Sequence, residues 1–166
     1  LFAVKRRHVL ASCVELPGNN LLDCALRPAL AAPGQNAGRI ESLSHALNAF
    51  TGDLIWSRPA DNVCHGRKYC DPGIAAPVTA IPGMVFAGHM DGRVRAYDSA
   101  TGQVLWAYDT SAEITTVSGE VAHGGSMSGG SGPLVADGAL YVTSGYGVVL
   151  HMPGNVLYAF AVPAPH

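Results

Sequence analysis

The chain has 166 residues, of which 48% are hydrophobic and only 13% are charged, with 20 glycines and 11 prolines. This composition excludes a disordered chain and is typical of a turn-rich β protein. The net charge of −2 gives no reason to expect a nucleic acid as partner, and no apolar run approaches the roughly 18 residues of a membrane span.

Residues 1–39 show no clear strand or helix period. Pro17-Gly18-Asn19-Asn20 is typical of a turn, and Pro28 argues against a short amphipathic helix over residues 21–32. The basic cluster Lys5-Arg6-Arg7 lies too close to Cys13 to leave room for the apolar core of a signal peptide. We treat residues 1–39 as a poorly defined N-terminal segment and assign it no function.

Two hairpins with one shared pattern follow. The first is predicted from Ser44–Phe50 and Leu54–Arg58, and the second from Arg93–Asp98 and Val104–Tyr108. A glycine that takes the left-handed conformation at low cost closes each hairpin, and a tryptophan lies in its last strand. Six positions match at a spacing of fifty residues: Ala46/Ala96, Leu47/Tyr97, Asn48/Asp98, Thr51/Thr101, Gly52/Gly102 and Trp56/Trp106.

The remaining strands complete a repeating unit. Val78–Ile81 and Met84–Gly88 precede the second hairpin, and Leu134–Ala136, Leu140–Ser144 and Val156–Phe160 begin another unit. Four short strands with a period of about 40–50 residues are typical of β-propeller blades. The sequence therefore predicts an all-β fold over residues 40–162, a partial propeller of about 2.5–3 four-stranded antiparallel blades, with a C-terminal tail at residues 163–166.

The order Ala, Thr-Gly, Trp in both hairpins resembles the repeat of pyrroloquinoline-quinone (PQQ) propellers, whose tryptophan packs between neighbouring blades. An ordered set of loops is similar to the C-terminal part of PQQ-dependent alcohol dehydrogenases of the polyvinyl-alcohol dehydrogenase type. These are Cys64–Gly73, Thr79–Gly88, Gly124–Ser126 with Gly132-Pro133, Ser144–Gly147 and Pro153–Leu157. The resemblance covers about residues 44–162.

The resemblance implies a fragment of a larger ring of presumed seven or eight blades, since a ring needs at least about four. It implies PQQ over a calcium ion at the ring centre and a periplasmic enzyme that oxidises polyvinyl-alcohol-like or other secondary alcohols. Cytochrome c is then the electron acceptor, and the remaining blades of the full-length chain are partners. Trp56 and Trp106 are expected to be buried between blades.

Two loops are candidates for contact with the cofactor. In residues 121–132, His123, Gly124, Gly125 and Ser126 can offer backbone N–H groups and side-chain donors to the carboxylates of PQQ, although a flexible surface connection is the alternative. In the second loop, Tyr146 with His151 faces either the central channel or a neighbouring blade. Neither loop identifies a catalytic base or a metal ligand.

Cys64 and Cys70 flank a short polar loop. From the residues alone, a disulfide and a Cys/His metal site with His65 both remain open, although the spacing fits no zinc pattern well. The resemblance to a periplasmic enzyme favours the disulfide.

Two other functions are compatible with the repeat. A PQQ-type propeller without cofactor can act as a protein-binding scaffold, as in outer-membrane assembly lipoproteins, and a truncated gene product can be inactive. The long loops after Trp56 and Trp106 favour the enzyme, because a scaffold blade needs no such insertions.

Overall fold

A computed structural model describes residues 13–16, 20–23, 43–48, 50–129, 132–147 and 150–162. These residues form strands and loops, and they include no helix that is long and apolar enough to cross a membrane. All the strand pairs are antiparallel, as the sequence predicts for a turn-rich β protein.

The first sheet contains four strands in sequential order, namely β1 (Cys13–Leu16), β2 (Asn20–Asp23), β3 (Leu43–Asn48) and β4 (Leu54–Pro59). The last two are the predicted hairpin. The first two lie within residues 1–39, where the sequence predicts no strand, so this blade has all four of its strands. A helix beginning at residue 21 is excluded, because Leu21 and Leu22 pair with Leu47 and Ala46 of β3.

The second sheet has the same order and confirms the predicted complete blade. Its strands are β5 (Thr79–Ile81), β6 (Met84–Gly88), β7 (Arg93–Asp98) and β8 (Val104–Asp109). The register shifts between Ala46 and Leu47 in the first blade, and at the equivalent place between Ala96 and Tyr97 in the second. The repeat in the sequence is therefore a repeat in backbone geometry as well.

The segment between the second and third blades differs from the expected long loop. It contains a short hairpin, β9 (Glu113–Thr115) with β10 (Val121–His123). Val117 is fully exposed at its tip and Val121 is largely exposed, and each strand has only three residues, too few for an alternating pattern to mark it in the sequence.

The third blade consists of β11 (Leu134–Ala136), β12 (Ala139–Ser144) and β13 (Val156–Ala161), in that order. All three were predicted, and Asp137 and Gly138 form the predicted turn with positive φ angles of 49° and 74°. Leu140, Val142, Val156 and Tyr158 pack with Phe86, Val94, Ala96 and Met127 in one buried cluster that joins the second and third blades.

Antiparallel pairing places the long connections at one end of the sheets. The connections that follow β4 and β8 lie at the same end as those between β6 and β7 and between β12 and β13. We call this end the loop face; its described parts are residues 60–78, 89–92, 110–129, 132–133, 145–147 and 150–155. The short hairpin turns lie at the opposite end.

Trp56 connects the first blade to the second. Its side chain is only 8% exposed, and its Nε1 donates to the Ser99 carbonyl in the turn between β7 and β8 at 3.0 Å. A Cβ atom on Gly102 of that turn would lie 2.5 Å from Cε3 of the indole, and Gly102 has a φ of +69°. Gly102 is thus required both by the turn and by the indole that packs on it.

Trp106 differs from this pattern, and its expected burial is not found. Its side chain is 36% exposed, although its ring lies edge-on against Phe160 with 5.1 Å between centroids. Gly52, the equivalent of Gly102, also has an open surface, since nothing lies within 4 Å of a Cβ atom built on it. Its φ of +74° still favours glycine in the turn.

We expect Trp56→Ala to lower the free energy of unfolding by about 3–5 kcal/mol, because it opens a cavity between two blades. Trp106→Ala is the matched control and should cost clearly less, since solvent already reaches that ring. Urea unfolding of the two variants, followed by circular dichroism, measures the difference. Equal losses would contradict the blade-joining role of Trp56.

Candidate functional site

The first element of the loop face is a ring closed by a disulfide. Cys64 and Cys70 are bonded to each other with their Cα atoms 5.5 Å apart, and His65 is exposed between them. Across the described part of the chain, no three His, Cys, Asp or Glu side chains cluster as metal ligands. The alternative of a Cys/His metal site is therefore not found here.

A buried ion pair lies beneath this ring. Arg95 Nη2 is 2.6 Å from Asp91 Oδ2 and Arg95 Nη1 is 3.2 Å from Oδ1, and the two residues are 4% and 0% exposed. Oδ1 also accepts the Arg93 backbone N–H. Such a bidentate pair is expensive to break, because removing one partner leaves the other charge buried and alone. Arg95 is thus a buried strand residue and not part of a solvated face.

Arg67 fastens the disulfide ring to this pair. Its guanidinium donates to the Asp91 carbonyl at 3.4 Å and to Ser111 Oγ at 3.2 Å. The ring is thereby connected both to the β6–β7 connection and to the start of the segment that follows β8. One exposed side chain ties three stretches of the loop face together.

His89 provides a second buried connection. Its side chain is fully buried, with Nδ1 2.9 Å from the Pro72 carbonyl and Nε2 2.9 Å from the Tyr97 hydroxyl. Because a carbonyl only accepts, Nδ1 carries the proton and Nε2 accepts from Tyr97. Burial, with the Arg95 charge as a lesser cause, lowers the pKa of His89 to about 3, so the ring is neutral near pH 7.

The backbone N–H groups of residues 124–126 do not offer a free anion cradle. All three are used inside the protein: Gly124 donates to the Thr110 carbonyl at 3.0 Å, Gly125 to Ser144 Oγ at 2.9 Å, and Ser126 to the Met152 carbonyl at 2.9 Å. The structure brings the predicted residues together, but as a packed connection between loops. These three N–H groups are therefore not available to donate to an anionic cofactor.

Close packing explains the glycines instead. A Cβ atom on Gly124 would lie 2.5 Å from the Thr110 carbonyl oxygen, and one on Gly125 would overlap the carbonyl oxygen of Met152. Beneath them the Thr110 and Ser144 hydroxyls lie 2.6 Å apart, and both residues are fully buried. Glycine is needed here because backbone and hydroxyl groups approach each other closely.

His123 is the one predicted cofactor-binding residue with an exposed side chain. Its Nδ1 is 2.9 Å from the Gly124 carbonyl, which makes Nδ1 the donor and leaves Nε2 as an acceptor. Its own carbonyl accepts the Asn155 N–H at 3.1 Å. His123 therefore stands at the border between the glycine-rich stretch and residues 150–155.

Of the two arrangements considered for Tyr146 in the second candidate loop, packing against a neighbouring blade is not found among the described residues. Tyr146 is 61% exposed and donates to the Asn155 carbonyl at 2.9 Å, so in the described residues it packs against no neighbouring blade. His151 Nδ1 lies 2.7 Å from Ser128 Oγ, a contact that sequence reasoning missed. This pair joins the two candidate loops, and no short motif signals it, since its members are far apart in the sequence.

The pH dependence of stability should reveal His89. In the unfolded chain a histidine gains a proton near pH 6.5, whereas folded His89 stays neutral down to about pH 3. We expect the free energy of unfolding to fall as the pH drops below about 6.5, by up to ~1.4 kcal/mol per unit until about pH 3.

His89→Gln is the control, because its amide can replace the hydrogen bonds but does not titrate. The acid-dependent loss measured in urea titrations between pH 4 and 8 should be smaller in this variant. An unchanged slope would show that another group causes the loss.

Ser126 should be important for stability. Its buried hydroxyl donates to the Met90 carbonyl at 2.6 Å and accepts the Met152 N–H at 3.0 Å. We expect Ser126→Ala to lower the free energy of unfolding by about 1–3 kcal/mol, since it leaves both groups unpaired. Exposed Ser118→Ala is the control, and urea unfolding compares them; a cost no greater than that of the control would refute this role.

Comparison with known proteins gives one family and several relatives. Residues 37–126 match the PQQ_2 family, described as outer membrane protein assembly factor BamB. A polyvinylalcohol dehydrogenase of Pseudomonas sp. is 42% identical over 129 residues, and one of Sphingopyxis sp. is 38% identical over 130 residues. These alignments cover 71% and 70% of this chain but only 20% of either relative. The chain thus spans about a fifth of the length of these relatives.

Solved structures with a similar backbone are a quinohemoprotein alcohol dehydrogenase from Comamonas testosteroni and BamB from Moraxella catarrhalis. The first has a TM-score of 0.49 at 24% identity and covers 75% of this chain and 15% of that one. The second has a TM-score of 0.48 at 22% identity and covers 78% of this chain and 33% of that one. Since the family match spans over half of the chain and the four-stranded blades repeat as it requires, this protein belongs to the PQQ_2 family of PQQ-repeat β-propellers.

Proposed function

We propose that this chain is part of a PQQ-dependent dehydrogenase that oxidises alcohol groups, either of polyvinyl-alcohol-like polymers or of other secondary alcohols. The observation that carries the proposal is the 42% identity over 129 residues with a polyvinylalcohol dehydrogenase. In this proposal the chain is the C-terminal fragment of a longer propeller, and the blades outside it are its partners.

The finer parts of the proposal concern location and electron transfer. The Cys64–Cys70 disulfide supports an oxidising compartment, and we assign the protein to the periplasm. Cytochrome c is the proposed electron acceptor, as the resemblance implies. PQQ with calcium is the proposed cofactor of the complete propeller.

The described residues do not by themselves fit PQQ and calcium. The N–H groups of Gly124, Gly125 and Ser126 already have partners, and the described part of the chain holds no cluster of metal-type side chains. We therefore assign no catalytic step to these residues. In this proposal most of the groups that hold the cofactor belong to the other blades, and this chain contributes only the side chain of His123.

The proposed contribution of this chain is a rigid wall of the active-site entrance. The ion pair of Asp91 and Arg95, the His89 contacts and the disulfide hold the loops in one arrangement. Preorganised loops lower the cost of ordering a site when a ligand binds. His123, with Nε2 directed away from its intramolecular contact, is the proposed point at which this wall meets the cofactor or substrate.

A cofactor-free protein-binding scaffold is the second candidate. The description of the matching family as an assembly factor supports it. The two functions differ in one measurable property, since only the dehydrogenase requires PQQ.

A chimera tests the proposal. The segment of the Pseudomonas sp. relative that aligns with this chain is replaced by the chain's own residues, and dye reduction with a secondary alcohol or polyvinyl alcohol is followed as PQQ and Ca²⁺ are added. We expect saturable activity that depends on both. A chimera that melts cooperatively but neither binds PQQ nor reduces the dye would favour the scaffold.

His123→Ala in the same chimera tests the proposed contact. We expect the PQQ concentration for half-maximal activity to rise by about tenfold or more, because a hydrogen bond to a charged group contributes about 1.5–3 kcal/mol. His65→Ala is the control, because His65 is also exposed but lies in the disulfide ring and in neither candidate loop. Equal effects of the two substitutions, or none, would remove His123 from the site.

A further inference from the structure

The peptide groups of Asn155 are held by both candidate loops. The Asn155 N–H donates to the His123 carbonyl at 3.1 Å, and the Asn155 carbonyl accepts from the Tyr146 hydroxyl at 2.9 Å. One residue thus connects the glycine-rich stretch to the loop that carries Tyr146. Its backbone has no freedom to move without breaking a contact to one loop or the other.

The residue before Asn155 is fixed by close packing. The Gly154 N–H donates to the Gly145 carbonyl at 3.0 Å, and a Cβ atom built on Gly154 would overlap the backbone of Gly124. Three glycines from three segments therefore meet at one point of the loop face. This packing gives the Asn155 backbone a rigid base on its N-terminal side.

The side chain of Asn155 is left for a ligand. It is exposed, and in the part of the chain that the structure describes the hydrogen bonds of Asn155 are the two of its backbone. A carboxamide has two N–H donors and a carbonyl acceptor, so it can both donate to a hydroxyl group and accept from one. Because the backbone is already fixed, a ligand needs to order only this short side chain.

The exposed groups beside Asn155 suit an uncharged ligand that carries hydroxyl groups. His123 Nε2 is an acceptor, and the Tyr146 ring is 61% exposed with its hydroxyl already engaged, so the ring offers an apolar surface. Pro153 is exposed as well, and none of these side chains is a carboxylate or an ammonium group. A hydrocarbon chain with hydroxyl groups matches an acceptor, an amide and an apolar ring together.

We propose that Asn155 determines specificity by binding a second hydroxyl group of the substrate, so that the site prefers a 1,3-diol to an alcohol with a single hydroxyl. This inference rests on the proposed function, in which His123 is the point where the wall meets the cofactor or substrate. The hydroxyl that is oxidised lies at that point, and the adjoining carboxamide of Asn155 binds the next one. In a polyvinyl-alcohol-like chain the next hydroxyl is two carbons away. Tyr146 is a positioning residue, which acts by holding the Asn155 carbonyl.

Two small alcohols test this role in the chimera with PQQ and Ca²⁺. Pentane-2,4-diol and pentan-2-ol are both secondary alcohols and differ in one hydroxyl group. We expect Asn155→Ala to lower kcat/KM for the diol by about tenfold and to change that for pentan-2-ol by less than about twofold, because the amide contacts only the second hydroxyl. Gln103→Ala is the matched control, since Gln103 is an exposed amide in the turn between β7 and β8, at the opposite end of the sheets.

Two further variants separate a positioning role from a merely structural one. Tyr146→Phe keeps the ring and removes the hydroxyl that holds the Asn155 carbonyl, so it should lower kcat/KM for the diol by about threefold and leave that for pentan-2-ol unchanged. Asn155→Gln retains a carboxamide and should keep more of the diol preference than Asn155→Ala. A residue that acted only on folding would change both alcohols alike.

Binding without cofactor distinguishes this inference from the proposed function. Saturation-transfer NMR of the chimera without PQQ measures the Kd of each alcohol, and we expect the diol to bind at least about threefold more tightly, with this preference lost in Asn155→Ala. If the chimera does not use PQQ but shows this Asn155-dependent preference, the dehydrogenase proposal fails and the diol contact stands. The inference is overturned if neither activity nor binding prefers the diol, or if Asn155→Ala affects both alcohols equally.

Discussion

The packing of one indole on one glycine is the contact on which this architecture depends. Trp56 reaches from the first blade into the turn of the second, where Gly102 leaves the space and Ser99 provides the carbonyl. A blade has two apolar faces and cannot bury both alone, so its stability comes largely from its neighbours. The Trp–Gly contact sets how those neighbours meet.

The loop face, at the end of the sheets opposite the Trp56 contact, is held by polar contacts rather than by apolar packing. Loops carry backbone donors and acceptors that must be paired when they are buried, and here buried side chains pair many of them. Five fully buried residues each bond to a segment distant in the sequence: His89, Asp91, Thr110 and Ser126 on the loop face, and Ser144 at the end of β12 beside it. This set of buried hydrogen bonds costs free energy to form and to disturb, and it holds the loop face in one defined arrangement.

The fold was largely predictable and the site was not. Period-two alternation, turn glycines and the fifty-residue repeat predicted β3 to β8 and β11 to β13 almost to their ends. The strands β1 and β2 were missed because residues 1–39 carry turn residues and prolines but no repeat match. The sequence predicted the glycines at 124 and 125 as contacts to a ligand, whereas the structure shows them in close packing between loops.

The sequence by itself determined the class, the blade pattern and the glycines of the hairpin turns, because alternation and positive φ are local properties of a few adjacent residues. Only the tertiary structure decided that Arg95 is buried against Asp91, that His89 is neutral near pH 7, and that the N–H groups of residues 124–126 have partners within the protein. Those outcomes depend on partners up to tens of residues away. Burial, which sets the cost of a charge or of an unpaired donor, exists only when the sheets and loops come together.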